Sequence, residues 1–436
     1  MRTGPRSCRT RCHPMHGSGE PSMAIHGEIT PPPDKSISHR SFILGALAQG
    51  TTTVRNALES EDIGSTRRAL SALGIDIRKD GAIYLVVGAR MKEPLQVIDA
   101  GNSGTTARLM SGVFAGIDGI VTMTGDSSLV QRPMARVIKP LELMGARFLA
   151  RGGAYLPMAV RGGKLRGIFH PMEVASAQVK SALLLAGLAA EGTTTVNEPS
   201  QSRDHTERML RFFGANLSVN AKSVGIPGGQ RLQARDVVVP GDPSSAAFPV
   251  IWAAATAGSE IVVRDVCLNP TRTGFLAVLE RMGAHIAVDG IRENAGEPVG
   301  DLVVRGTELS GTTIAGDEIP TLIDEIPILV VAAALASGTT VITDASELRV
   351  KETDRIAAMA QGLGCLGAEV EELEDGLIVK GPARLTAGMI RTHSDHRVAM
   401  SFAILARACG IDVKLDDTRC VGVSYPGFFS DMDTFR

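Results

Sequence analysis

Six stretches of this chain read alike, and no other feature restricts its fold as much. The four clearest begin at Ser36 (SISHRSFILGALAQGTTTV), Ser176 (SAQVKSALLLAGLAAEGTTTV), Ser244 (SSAAFPVIWAAATAGSEIVV) and Glu325 (EIPILVVAAALASGTTV). Each predicts a buried helix rich in Ala and Leu, then a glycine and a short β-branched strand. A charged loop follows, then a second helix with apolar residues at helical spacing that stops at a glycine (LSALG, LRFFG, LERMG, LGCLG). Weaker copies start at Ser103 and Ser394, so the starts fall 67, 73, 68, 81 and 69 residues apart. Units of roughly seventy residues are mixed α/β modules, larger than the 20–50 residues usual in solenoids.

Three units precede PGDPSS (240–245) and three follow, with Pro240-Gly241 and Pro243 marking the change. The prediction is an α/β protein of two similar lobes: residues 34–241 form one, and residues 23–33 with 242–436 form the other. The Pro-rich stretch PPPD (31–34) and Pro240-Gly241 are the two crossings between them. Two crossings make a hinge, and a cleft between lobes is a favoured ligand site. Residues 1–22 hold four arginines and no apolar run. They read as a disordered tail or as translation assigned upstream of Met23, not as a secretory signal. Cys8, Cys12, His13 and His16 in that tail have no hydrophobic support around them for holding zinc.

Composition narrows the function. With 44% hydrophobic and 21% charged residues the chain has the balance of a globular protein, and its net charge of −2 gives no reason to propose nucleic acid or an anionic membrane as partner. No apolar run reaches the ~18 residues of a membrane span. The six cysteines show no framework, which points to a reducing cytoplasm.

The starts of the six buried helices carry the chemistry: DKSISHR (34–40), GNSGTTAR (101–108), SAQVK (176–180), GDPSS (241–245), DEIP (324–327) and SDHR (394–397). A helix N-terminus carries about half a positive charge and free N–H donors, so it attracts anions. Lys35, Arg40, Arg108, Lys180 and Arg397 add cations there, with hydroxyls from Ser36, Ser103, Ser176, Ser244 and Ser394, and Ser36 is the expected cap of its helix. The loops QRPMAR (131–136), SRDHTER (202–208), NPTRTG (269–274) and ELRVKETDR (347–355) add arginines at equivalent repeat positions. If these clusters converge on one cleft, the ligand is a small polyanion. Asp324 and Glu352 are carboxylates among the cations and the leading proton-transfer candidates, with Lys35 a third. No GxxxxGK[ST], GxSxG or HExxH occurs, and no histidine sits at convincing metal spacing. The residues alone thus predict a two-lobed enzyme that closes on an anionic metabolite, without fixing its reaction.

Taken together, DKSISHR, GNSGTTARLMSG, QRPM, SAQVKSALLLAGL, SRDHTE, DEIPILVVAAA, RVKETDRI and SDHRVAMSF resemble, in order and spacing, the 3-phosphoshikimate 1-carboxyvinyltransferases, or EPSP synthases. The resemblance runs from about Gly27 to Pro426, and SAQVK and SRDHTE are similar to the subgroup called class II. It implies two lobes of three βαβαββ-type units with inward helices, an inside-out barrel. The implied reaction moves the enolpyruvyl group of phosphoenolpyruvate to the 5-hydroxyl of shikimate 3-phosphate and releases phosphate, with no cofactor or metal, in a cytoplasmic monomer. On this resemblance Lys35, Ser36, Arg40, Ser176, Ala177, Gln178, Arg203, Asp324 and Lys351 would contact shikimate 3-phosphate. Lys35, Gly104, Arg132, Gln178, Arg355 and Arg397 would contact phosphoenolpyruvate. Asp324 would accept the 5-hydroxyl proton, Glu352 would protonate the methylene carbon, and Lys35 would share the proton work. Gly104 would leave room beside phosphoenolpyruvate, where an alanine in some members excludes glyphosate. Some members carry a lysine before the final aromatic-Pro pair, whereas this chain has Val423-Ser424-Tyr425-Pro426. The alternatives are a UDP-N-acetylglucosamine enolpyruvyl transferase, which would carry a Lys-Asn pair and a catalytic cysteine, and a non-catalytic module binding a phosphorylated metabolite.

Overall fold

The helices that the period predicts as buried lie inside the lobes, and two of them, Pro243–Ala254 and Ile326–Leu335, are apolar nearly all round. The computed structural model describes residues 24–220 and 222–435, so the 1–22 tail with its Cys/His cluster lies outside the described residues. In the first lobe the inner helices are Lys35–Leu47, Gly104–Ala115 and Ala177–Leu188; in the second they are Pro243–Ala254, Ile326–Leu335 and His396–Cys409. Within each lobe the inner helices pack against one another. Small residues allow this: a Cβ on Gly112 would stand 2.1 Å from the carbonyl oxygen of Ala182 on the neighbouring helix. Buried hydroxyls on these helices turn back on their own backbone, Ser111 Oγ donating to Ala107 O at 2.6 Å. Each buried Leu, Ile or Phe contributes ~1.5–3 kcal/mol, so all-apolar helices are most stable where no face meets water.

Amphipathic helices and sheets wrap the inner helices. In the first unit, strand Thr51–Arg55 follows the inner helix, then helix Glu61–Ala72 and the hairpin Asp76–Asp80/Ile83–Val87. The strand after each inner helix pairs in parallel with an edge strand, and in five units it also pairs antiparallel with its own hairpin. The edge strand of the first unit, Asp236–Val238, comes from the far end of the lobe and pairs Val237 with Val54, closing three units into a ring. In the second lobe the edge strand His26–Ile29 plays that part beside Glu260–Cys267.

The crossings meet where Asp34 N donates to Pro240 O (2.7 Å) and Asp242 N to Pro32 O (2.8 Å). One hydrophobic core runs from Ile37 to Val239 and the other gathers Ile25, Ile29 and residues from Ala246 to Met432. Cys267 and Ala295, which belong in sequence to the second set, pack into the first core.

The sixth unit departs from the predicted pattern. Its sheet is a parallel pair, Gly388–Ile390 with Val413–Leu415. In place of a hairpin come a 3-10 turn (Arg419–Val423) and the short helix Phe428–Met432, with Phe428 edge-on to Phe248, Tyr425 and Phe429. Aromatic packing closes this unit where the others use a sheet. The second unit, weak as a repeat in sequence, is complete, with Ile98–Asp99, Ile120–Thr124, Arg147–Arg151 and Tyr155–Arg161 in one sheet.

Candidate active site

The inner helices start side by side at the face where the lobes meet, and aspartates cap three of them. Asp34 Oδ1 accepts from Ile37 N (2.7 Å), Asp242 Oδ1 from Ser244 N (2.8 Å) and Asp395 Oδ1 from Arg397 N (2.8 Å). Ser103 and Ser176 cap two of the remaining three. Ser36 therefore does not cap its helix. Three prolines carry the chain in extended, and Asp34 is the first residue able to turn its side chain over the open N–H groups. At the start of the fifth unit, Glu325 makes no cap and its carboxylate accepts from Ser244 Oγ instead.

Charged residues from both lobes converge on two carboxylates of the second. Asp324 faces Arg203 of the first lobe, and Arg355 (3.2 Å), Lys351 (3.5 Å) and Arg397 (3.8 Å) of its own. Glu352 lies 2.7 Å from Arg355 and 3.7 Å from Arg132 of the first lobe. Burial opposes ionisation of both. Lys351, Arg203, Arg397 and Arg355 nevertheless hold Asp324 well below the usual carboxylate range, and Arg355, with Arg132 and Lys35, does the same for Glu352. Arg355 is itself buried and anchored on Asp395 at 2.8 Å.

On the first lobe, Arg132 donates to Asn102 Oδ1 at 2.7 Å. Gln178 is held between Arg108 (2.8 Å to its Oε1) and Thr105 (3.1 Å from its Nε2). Lys35, Ser36, Ser176 and Ala177 are part-exposed, as is Arg203. The ammonium of Lys35 turns to Asp62, 3.3 Å away.

Two of the predicted helix-start cations are not in this cluster. Lys180 is buried between Glu198 and Glu207, 2.7 Å from each, so its charge is spent inside the first lobe. Arg40 is buried as well and donates to Thr206 (2.6 Å), Ser181 (2.8 Å) and the Ser36 carbonyl (3.0 Å), with burial pulling its guanidinium down to about 10. Through Ser36 it acts on the backbone of the helix start.

The sequence matches the EPSP synthase (3-phosphoshikimate 1-carboxyvinyltransferase) family over residues 20–432. It is 53% identical over 420 residues to the 3-phosphoshikimate 1-carboxyvinyltransferase of Synechococcus sp. (strain JA-3-3Ab), covering 94% of this chain and 95% of the relative. The enzyme of the same name from Anaeromyxobacter sp. (strain K) is 51% identical over 434 residues, covering 99% and 96%. A solved EPSP synthase from Acinetobacter baumannii superposes with a TM-score of 0.84 at 42% identity, covering 94% of this chain and 96% of that one. The chain belongs to the EPSP synthase family.

Within the EPSP synthase fold, sequence reasoning passed over three residues that hold the expected site residues in place, Asn102, Asp62 and Asp395, and gave Arg108 no partner. All but Asp62 lay inside quoted motifs, yet a motif does not say which of its residues faces a neighbour. Ser424, where some EPSP synthases have lysine, is buried.

Proposed function

We propose that this chain transfers to shikimate 3-phosphate the carboxyvinyl group its relatives' names state, with phosphoenolpyruvate as donor and Asp324 and Glu352 moving the protons. It is an enolpyruvyl transferase of aromatic amino acid biosynthesis. One observation carries the residue assignment: two carboxylates of the second lobe each face cations from both lobes at the starts of the inner helices.

Asp324, held ionised, takes the proton of the 5-hydroxyl, and the oxygen attacks C2 of phosphoenolpyruvate while Glu352 protonates C3. The tetrahedral adduct then loses phosphate and one methyl proton, the proton returning to the Glu352 carboxylate, which restores the double bond. Glu352 starts from a carboxyl that its arginines hold deprotonated. A phosphate or carboxylate that engages Arg132, Arg355 and Arg397 neutralises those charges, so the substrate itself raises the Glu352 carboxyl toward holding a proton. Lys35, Ser36, Ser176, Ala177, Gln178, Arg203 and Lys351, with Arg40 behind Ser36, hold shikimate 3-phosphate; Lys35, Gly104, Arg132, Gln178, Arg355 and Arg397 hold phosphoenolpyruvate. Orientation of two bound substrates supplies ~7–11 kcal/mol of the barrier, and closing the lobes keeps water from the activated enolpyruvyl group.

The chain works as a cytoplasmic monomer. Among the described residues no helix is long and apolar enough to cross a membrane, and Cys267, Cys365, Cys409 and Cys420 are unpaired.

The test is phosphate release from phosphoenolpyruvate, without added metal, in the presence and absence of shikimate 3-phosphate. Release that needs both substrates and collapses in Asp324→Ala supports the assignment. Binding of both without release, or turnover only with a UDP-sugar acceptor, contradicts it.

A further inference from the structure

Arg272 comes from NPTRTG, one of the arginine-bearing loops whose sequence position pointed to the cleft, yet it lies at the hinge and is only 1% exposed. One terminal nitrogen, Nη1, lies 3.0 Å from Asp34 Oδ2 and 3.1 Å from His205 Nε2. The other, Nη2, lies 3.0 Å from Asp242 Oδ1 and 2.7 Å from Ser244 Oγ. Nε has no partner among the described residues, so the terminal fork makes all of its bonds.

Each of those four groups is one short step from a charged residue of the site. Asp34 caps the helix that opens with Lys35. His205 opens the helix that follows Arg203. Asp242 caps the helix Pro243–Ala254 and also accepts from the backbone N–H of Lys35 at 3.4 Å. Ser244 donates to Glu325, the residue after Asp324. The fork thus spans both crossings and both lobes.

Its chemistry also fixes the histidine. A guanidinium only donates, so His205 Nε2 accepts and Nδ1 carries the hydrogen, which it gives to Glu297 Oε1 at 2.7 Å. Glu297 in turn accepts from Asn269 at 2.8 Å and lies at the foot of the turn that sends Ala295 into the first lobe's core.

We propose that Arg272 is a positioning residue for the transfer reaction, setting the register in which Lys35, Arg203 and Asp324 meet when the lobes come together. The proposal rests on the functional reading above. It separates catalysis from binding, because shikimate 3-phosphate is held mainly by first-lobe groups that Arg272 does not touch, whereas proton removal needs Asp324 brought to them from the other lobe. A misplacement of about 1 Å costs on the order of 10²-fold in rate.

The experiment measures kcat per titrated active site, KM for each substrate and the Kd of shikimate 3-phosphate alone, for the full chain and for Arg272→Lys. A lysine keeps the charge and cannot fork to four partners. The expected result is a kcat lower by about 10²-fold with the Kd of shikimate 3-phosphate changed less than about threefold. Should Arg272→Lys not fold, Ser244→Ala decides the matter, since it removes one of the four partners of the fork and with it the link from Arg272 to Glu325; a fall in kcat of about tenfold at unchanged Kd is expected. A kcat within twofold of the parent, or a loss of kcat matched by an equal loss of binding, overturns the proposal. Failure of the parent chain to release phosphate from the two substrates would instead overturn the functional reading.

Discussion

Two clusters of opposite charge join the lobes, one at the hinge and one in the cleft, and they differ in how their charges are matched. At the hinge, the side chains of Arg272, Asp34 and Asp242 are 2%, 0% and 10% exposed, and the carboxylates meet fixed donors on a single fork. In the cleft, Asp324 and Glu352 are 15% and 30% exposed, and four cationic groups crowd around Asp324. One carboxylate cannot form good bonds with four cations at once. The hinge is therefore a tie whose terminal fork and two carboxylates match one another, while the cleft keeps cationic capacity for anions brought from outside.

That comparison is most open to attack by exchange of one charge in each region. Glu352→Gln should lower kcat by about 10³-fold while thermal unfolding shifts by no more than a few degrees. Asp34→Ala should act on stability where Glu352→Gln does not: it removes a cap and leaves the Arg272 guanidinium short of a partner, costing about 3–5 kcal/mol in urea unfolding, with a loss of kcat through the disturbed register. If Glu352→Gln is destabilised as much as Asp34→Ala, the two clusters are not distinct in function.

Gly104→Ala sharpens the cleft side. A Cβ there would stand 2.9 Å from Arg108 Nη1 and 3.6 Å from Arg132 Nη1, so one arginine must move aside. The KM for phosphoenolpyruvate should rise about tenfold, a shift of about 1.4 kcal/mol, with less change in kcat.

Glu297→Gln sharpens the hinge side through pH. Burial, aided by Asp204, pushes the Glu297 carboxyl up to about 8. The folded chain then holds this proton more tightly than the unfolded chain, and its contribution to stability falls as pH rises from the ordinary glutamate range towards 8. Urea titrations across that window should show a flatter slope for Glu297→Gln, by at most about 1.4 kcal/mol per pH unit. The smallest effect belongs to the exposed rim pair between the lobes, Arg136 and Glu347 at 3.1 Å. Arg136→Ala should change stability by less than about 1 kcal/mol and leave kcat unchanged.

Much of the architecture was legible because burial leaves a mark on composition. Ile-Pro-Ile-Leu-Val-Val has no polar face, so its helix goes inside, whereas LSALG-type segments alternate and lie outside. Chain-distant partners leave no such mark. Nothing in NPTRTG says that Arg272 reaches Asp34, 238 residues away, instead of the cleft. Lys180 in SAQVK looks like Arg397 in SDHR, yet two glutamates placed by a later strand and helix claim it. The aspartate caps were hidden because sequence reasoning followed the repeated serines. The missing sixth hairpin was hidden because a terminal aromatic cluster can close a unit as well as a sheet can.

The central claim is that Glu352 gives a proton to the methylene carbon of phosphoenolpyruvate within a site assembled from both lobes. Turnover in deuterium oxide tests it most directly, with mass spectrometry of the enolpyruvyl methylene in the product and in recovered phosphoenolpyruvate. The account predicts deuterium at that carbon for the parent chain, and almost none for Glu352→Gln in the same time with shikimate 3-phosphate still bound. Full incorporation by Glu352→Gln, or product from the parent chain with no deuterium at all, would contradict it.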